Sequence, residues 1–228
     1  KSDIEDLSNF SMGPSSKKER PTGNMRLVET KLETMKPEVA NRVMKHVEKL
    51  VSDEPIFAKF SLNIKSSDLR KHLSDKESKA AYAIHDKSSI TLNERYFNNL
   101  PEFKAVLDAQ EKSGWHPKGC NTPESIVTHE MGHFLFEGME HTGDERLDAI
   151  NEVIQNAAAS GELAKVSRYA DKNYKAGNIM EAQAEIYTSV YNTPENNQNE
   201  IVKKVSEILK NKIKSNESYL SEVYEFMK

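Results

Sequence analysis

The chain has 228 residues, 30% of them charged and 36% hydrophobic, which suits one good-sized domain with short appendages. Its 32 basic and 36 acidic residues give a net charge of -4, a balance that excludes a mainly electrostatic nucleic-acid binder. Mean hydropathy is -0.73 and no apolar run approaches the roughly 18 residues of a membrane helix, so neither nucleic acid nor membrane is expected as a partner. A single cysteine, Cys120, leaves no intrachain disulfide and no Cys-rich zinc finger.

Residues 1–24 are rich in Ser, Pro and charge and poor in large apolar groups, so they bury too little surface to offset their ordering entropy. They are expected to form a flexible arm, with Lys17, Lys18 and Arg20 as a solvated tether to a larger protein. Residues 25–228 are expected to form one domain. Val39, Val43, Val47 and Leu50 recur at helical spacing behind Pro37. The stretch 56–65 alternates apolar and polar like a strand, and 66–73 holds a short helical piece. Residues 80–86 and 88–97 are predicted to be two strands joined by a tight turn around Asp86–Ser89. After Pro101 the pattern is helical, over 101–112, 123–138, 145–159, 162–173, 179–191, 196–213 and 217–227, punctuated by Gly143, Gly161 and Gly177. The expected fold class is α+β: a small N-terminal sheet against a helical C-terminal half.

The sharpest motif is His129-Glu130-Met131-Gly132-His133. Two histidines at i and i+4 project from one helical face, so both imidazoles can reach one metal ion, and Glu130 between them can meet a water on that ion. Thr122, Pro123 and Glu124 are suited to open the helix. Val127, Met131, Phe134 and Leu135 form a separate apolar stripe to anchor it. Further on, Glu181 and Glu185 in GNIMEAQAE are also i and i+4. A catalytic zinc takes three protein ligands and keeps one position for water, so His129, His133 and Glu181 supply the set. Glu185 is then placed to accept a hydrogen bond from a ligating histidine.

HEMGH followed by EAQAE resembles the gluzincin metallopeptidases, whose third zinc ligand is a glutamate on a later helix. The closer resemblance, over roughly residues 79–190, is to the anthrax-lethal-factor-like zincins and to zincin-like regions found with phage minor head proteins. Those carry a Ser-x-Tyr-Ala element upstream of the E-x-x-x-E pair, here Ser167-Arg168-Tyr169-Ala170. The resemblance implies a zincin-like fold with an active-site helix and an edge strand, a Zn²⁺ cofactor, and hydrolysis of a protein or peptide substrate. It also implies a catalytic tyrosine, commonly seven residues before the glutamate ligand. Tyr174 has that spacing, whereas Tyr169 has the Ser-x-Tyr-Ala context and lies twelve before. Both are candidates, and context favours Tyr169.

Glu130 is the expected general base, and the strand within 88–97 the expected edge along which an extended peptide lies. The metzincin pattern needs a third histidine at position 139, which is a methionine here, so His141 is expected to be a helix-end or loop residue. His72 and His85 show no metal spacing. Two alternatives stand beside the protease. One is a catalytically silent zincin-fold module with a binding or virion-structural role, against which the intact Glu130 argues. The other is an interaction domain with a closed structural zinc, which needs His141, His116 or Cys120 as fourth ligand.

Overall fold

The computed structural model describes residues 30–86 and 88–210. The arm over 1–24, the helix expected over 217–227 and the last residues of the one expected over 196–213 lie outside them. Among the described residues the chain runs β1 (Thr30–Lys31), α1 (Pro37–Asp53), β2 (Asn63–Ser67), α2 (Asp75–Ala80), β3 (Ala83–Asp86), β4 (Ser89–Asn93), α3 (Glu94–Phe97) and α4 (Leu100–Lys112). Then follow α5 (Pro123–Thr142), α6 (Arg146–Ala159), α7 (Arg168–Lys175), α8 (Ile179–Asn192) and a helical stretch at 200–210. This is a small mixed sheet in the N-terminal half and a mostly helical C-terminal half. None of the described helices is long and apolar enough to cross a membrane.

The sheet order is β1-β2-β4-β3, with β1, β2 and β4 parallel and β3 antiparallel to β4. This corrects the expectation for 88–97. All five residues of β4 are buried, and it lies inside the sheet between β2 and β3. The terminal strand beside α5 is β3. The strand also stops early, because the Asn93 side chain accepts from the Arg95 backbone N–H and opens α3. A second correction falls on 56–65. Pro55–Lys59 is a 3-10 turn that buries Ile56 and Phe57 in succession, and only Asn63 onward is strand. The apolar alternation there reflects packing against α5, whose Gly138 leaves room for Ile56 and Phe60. The expected helix over 162–173 is broken by Ser167, whose hydroxyl accepts from Ala170 N at 2.9 Å and starts α7 afresh.

Helix α5 is the axis of the domain. Ser125 N–H donates to Thr122 Oγ1 at 3.2 Å, and Thr122 N–H to Ser125 Oγ at 3.2 Å. Pro123 occupies the first turn, and Gly143, at φ 63°, ends the helix in the left-handed conformation that favours glycine. Between these caps the helix is buried on most sides, among α1, α8 and the sheet. Val39, Val43, Val47 and Leu50 of α1 are buried at the spacing the sequence predicts, each contributing roughly 1.5–3 kcal/mol relative to exposure.

One buried ion cluster links segments far apart in the sequence. Arg146 forks onto both oxygens of Glu54, with Nη2–Oε1 2.9 Å and Nη1–Oε2 3.1 Å. It also donates to Asp144 and, from Nη1, to the Leu209 carbonyl at 3.2 Å. The guanidinium is thus fully used, which a buried charge requires.

Candidate metal centre

Helices α5 and α8 cross closely because small residues meet at the crossing. A Cβ added at Gly132 would stand 3.1 Å from Ala184 Cα and 3.2 Å from Tyr187 Cδ1. That approach brings the His129/His133 face of α5 against the first turns of α8. His129 Nε2 lies 3.0 Å from Glu181 Oε2, and His133 Nε2 lies 3.5 Å from the same oxygen. The three ligand atoms all fall within 4.8 Å of one another, and this is the one group of its kind among the described residues. In a tetrahedral site with bonds of about 2.0–2.1 Å, donor atoms stand roughly 3.3 Å apart. The two shorter separations bracket that value.

The donor chemistry also fits a cation. His129 Nδ1 is 3.0 Å from Glu185 Oε1 and donates its proton there. In neutral imidazole the lone pair is then on Nε2, facing a carboxylate oxygen at hydrogen-bond distance. Two acceptors so placed need a proton or a metal ion between them. The same field appears in His129 itself: burial would lower its pKa, but Glu181 and Glu185 outweigh burial and hold it well above the usual histidine value. Burial would raise the Glu181 carboxyl, yet His133 and His129 pull it below the usual carboxylate range. The arrangement is a candidate metal site of two histidines and one glutamate.

Glu185 is almost wholly buried, at 1% exposure, and stands behind His129. Its Oε1 is also 3.4 Å from His116 Nδ1, on the loop between α4 and α5. Burial pushes this carboxyl up, but His116 and then His129 bring it down to about 2. Glu130 is buried, and burial raises its pKa. His129 and His133 pull the other way and the Glu181 charge adds to the rise, which moves a carboxylate toward the range of a general base at neutral pH.

The two candidate tyrosines are placed differently. Tyr169 is buried with its ring centroid 6.0 Å from that of His129, 6.1 Å from His116 and 5.4 Å from Trp115. Tyr174, five residues further along α7, is half-buried against the apolar core, with no ring contact or hydrogen bond to the imidazoles among the described contacts.

The candidate fourth ligands of a closed site lie elsewhere. His141 is exposed at the end of α5 with Nδ1 2.8 Å from the Glu137 carbonyl. Cys120 is buried with Sγ 4.0 Å from Thr193 Oγ1, and burial raises its thiol well above its ordinary value. His116 faces Glu185 and is outside the ligand group.

Two residues at the site escape a reading of spacing. His116 is one. The other is His85 of β3, whose ring stacks on His133 at 5.4 Å and meets Phe134 edge-on at 4.5 Å. Burial, with the His133 imidazole next, lowers its pKa to about 4. Neither histidine has a motif partner in sequence; the signal available was only that each sits beside a predicted element of the site.

No family model, curated protein or solved structure shows a significant match to the chain.

Proposed function

We propose that the chain is a zinc-dependent endopeptidase of the gluzincin type, with the zincin-like fold of the lethal-factor-like enzymes it resembles. The observation that carries the reading is the convergence of His129 Nε2, His133 Nε2 and Glu181 Oε2, drawn from two helices distant in sequence. Two imidazoles and a carboxylate suit zinc better than the all-oxygen cations, and three protein ligands are the pattern of catalytic rather than structural zinc. Separation of His116, Cys120 and His141 from the ligand group favours that open form over a closed structural site.

His129, His133 and Glu181 would hold the zinc, which would supply Lewis acidity for lowering the pKa of a water from about 15.7 toward 7 and for polarising a carbonyl. Glu130 takes the proton from the attacking water and later delivers it to the amine nitrogen as the C–N bond breaks. Tyr169, beside His129, donates its hydroxyl hydrogen to the carbonyl oxygen as charge develops on it. Glu185 keeps the His129 proton on Nδ1 and so keeps Nε2 free to ligate. Strand β3, terminal in the sheet and beside α5, offers its outer backbone groups to an extended peptide.

The test is reconstitution. Zinc at a hundredfold excess over its Kd should stabilise the chelator-treated protein by about 2.7 kcal/mol and raise its Tm by roughly 5–10 °C. Peptide cleavage should return with it. A protein that purifies without metal and responds to zinc in neither stability nor cleavage refutes the assignment.

A further inference from the structure

The Glu185 carboxylate is as deeply buried as any charge in the domain, and one hydrogen bond from His129 does not compensate it. Its second contact comes from His116 Nδ1, at 3.4 Å on the same oxygen. The side chain of His116 is itself only 12% exposed, and its Nε2 is buried with no hydrogen-bond partner among the described residues. The loop that carries it is bound to α7: Gly114 O accepts from Arg168 N–H at 2.8 Å and Trp115 O from Tyr169 N–H at 3.2 Å. His116 therefore stands on a backbone fixed to the helix that presents Tyr169, with its ring centroid 6.1 Å from that tyrosine's and its Nδ1 3.4 Å from Glu185.

We propose that His116 is a positioning residue of the metal centre: through Nδ1 it holds Glu185, and through Glu185 it fixes the tautomer and orientation of His129. The inference rests on the metal-site reading above. It assigns a role in metal affinity to the α4–α5 loop, which contributes no residue to the ligand group. A metal ligand whose outer hydrogen bond is lost commonly weakens the site ten- to hundredfold. His116 is one step further out, so the loss should fall toward the lower end.

The experiment is a competitive chelator titration with zinc alone, on the full chain, for wild type, Glu181→Ala, His116→Ala, His116→Asn, Glu185→Gln and the His116→Ala/Glu185→Gln double variant. The expected pattern has four parts. Glu181→Ala loses zinc outright, His116→Ala weakens it about tenfold, His116→Asn regains most of the loss through its amide N–H, and His116→Ala adds nothing in the Glu185→Gln background. If Glu181→Ala loses zinc while His116→Ala binds as wild type does, the positioning role falls and the metal site stands. Equal, weak zinc binding by wild type and Glu181→Ala removes both. A metal-free readout covers variants that do not fold: imidazole nitrogen NMR of the chelator-treated wild type should show a proton on His116 Nδ1, and an unprotonated Nδ1 overturns the proposal.

Discussion

Gly132 lies against Ala184 so closely that a methyl group at position 132 would sit 3.1 Å from the Ala184 Cα. Ala184 offers backbone there, and the next neighbour, Tyr187, is fully buried, so neither gives way cheaply. Gly132→Ala should therefore destabilise the protein by roughly 1–3 kcal/mol, even though alanine favours a helix interior by about 1 kcal/mol. Because the same crossing sets the distance from His129 and His133 to Glu181, zinc affinity should fall with it. Thermal melts with and without zinc measure both, and a variant more stable than wild type would show that the helices separate freely.

Glu130→Gln keeps the shape of the side chain and removes its capacity to accept a proton. Zinc content should match wild type while cleavage of a peptide library falls by about 10²–10⁴. Metal analysis alongside the cleavage assay separates loss of the base from loss of the site.

Glu181 and Glu185 should behave unequally. Glu181→Ala removes a ligand atom, whereas Glu185→Ala removes a hydrogen bond to one and should weaken zinc by about ten- to hundredfold. Unchanged zinc affinity in Glu181→Ala would strike it from the ligand set.

Tyr169→Phe should retain zinc and lose cleavage by about 10²–10³, the usual scale for one oxyanion donor. Tyr174→Phe should stay near wild type, since that ring packs on the core away from the imidazoles. The reverse ranking in a steady-state assay would reassign the hydroxyl to Tyr174.

His85 gives the chelator-treated protein a pH dependence with a definite sign. Its folded pKa, about 4, lies below the ordinary 6.5 because burial, and then His133, oppose its charge. The unfolded chain takes up the proton first, so the stability this residue confers is complete above about 6.5 and is lost as pH falls toward 4. The full loss is on the order of 3 kcal/mol. Urea midpoints across that interval should flatten in His85→Phe; an equally steep wild-type-like dependence would place the titration elsewhere.

The parts of this domain legible in the sequence are those governed by one local periodicity. His129 and His133 share a helical face wherever they occur at i and i+4, and Val39, Val43, Val47 and Leu50 declare a buried stripe the same way. Strand order is different, because β4 is interior only through its pairing with β2, 26 residues earlier in the register Asn63↔Ser89. Alternation alone does not say which neighbour a strand takes. The run at 56–65 misleads for a related reason: Ile56 and Phe57 are both buried because a 3-10 turn is enclosed by α5, a tertiary fact. His85 and His116 reach the site from a strand and a loop, and no spacing rule links them to α5.

The fork of Arg146 onto Glu54, Asp144 and the Leu209 carbonyl sets a practical boundary for anyone seeking the smallest working fragment. Cutting after α8 would spare every residue of the zinc proposal yet uncover a guanidinium and two carboxylates that the last described helix helps keep dry. The minimal unit therefore extends at least through Leu209, well downstream of its chemistry.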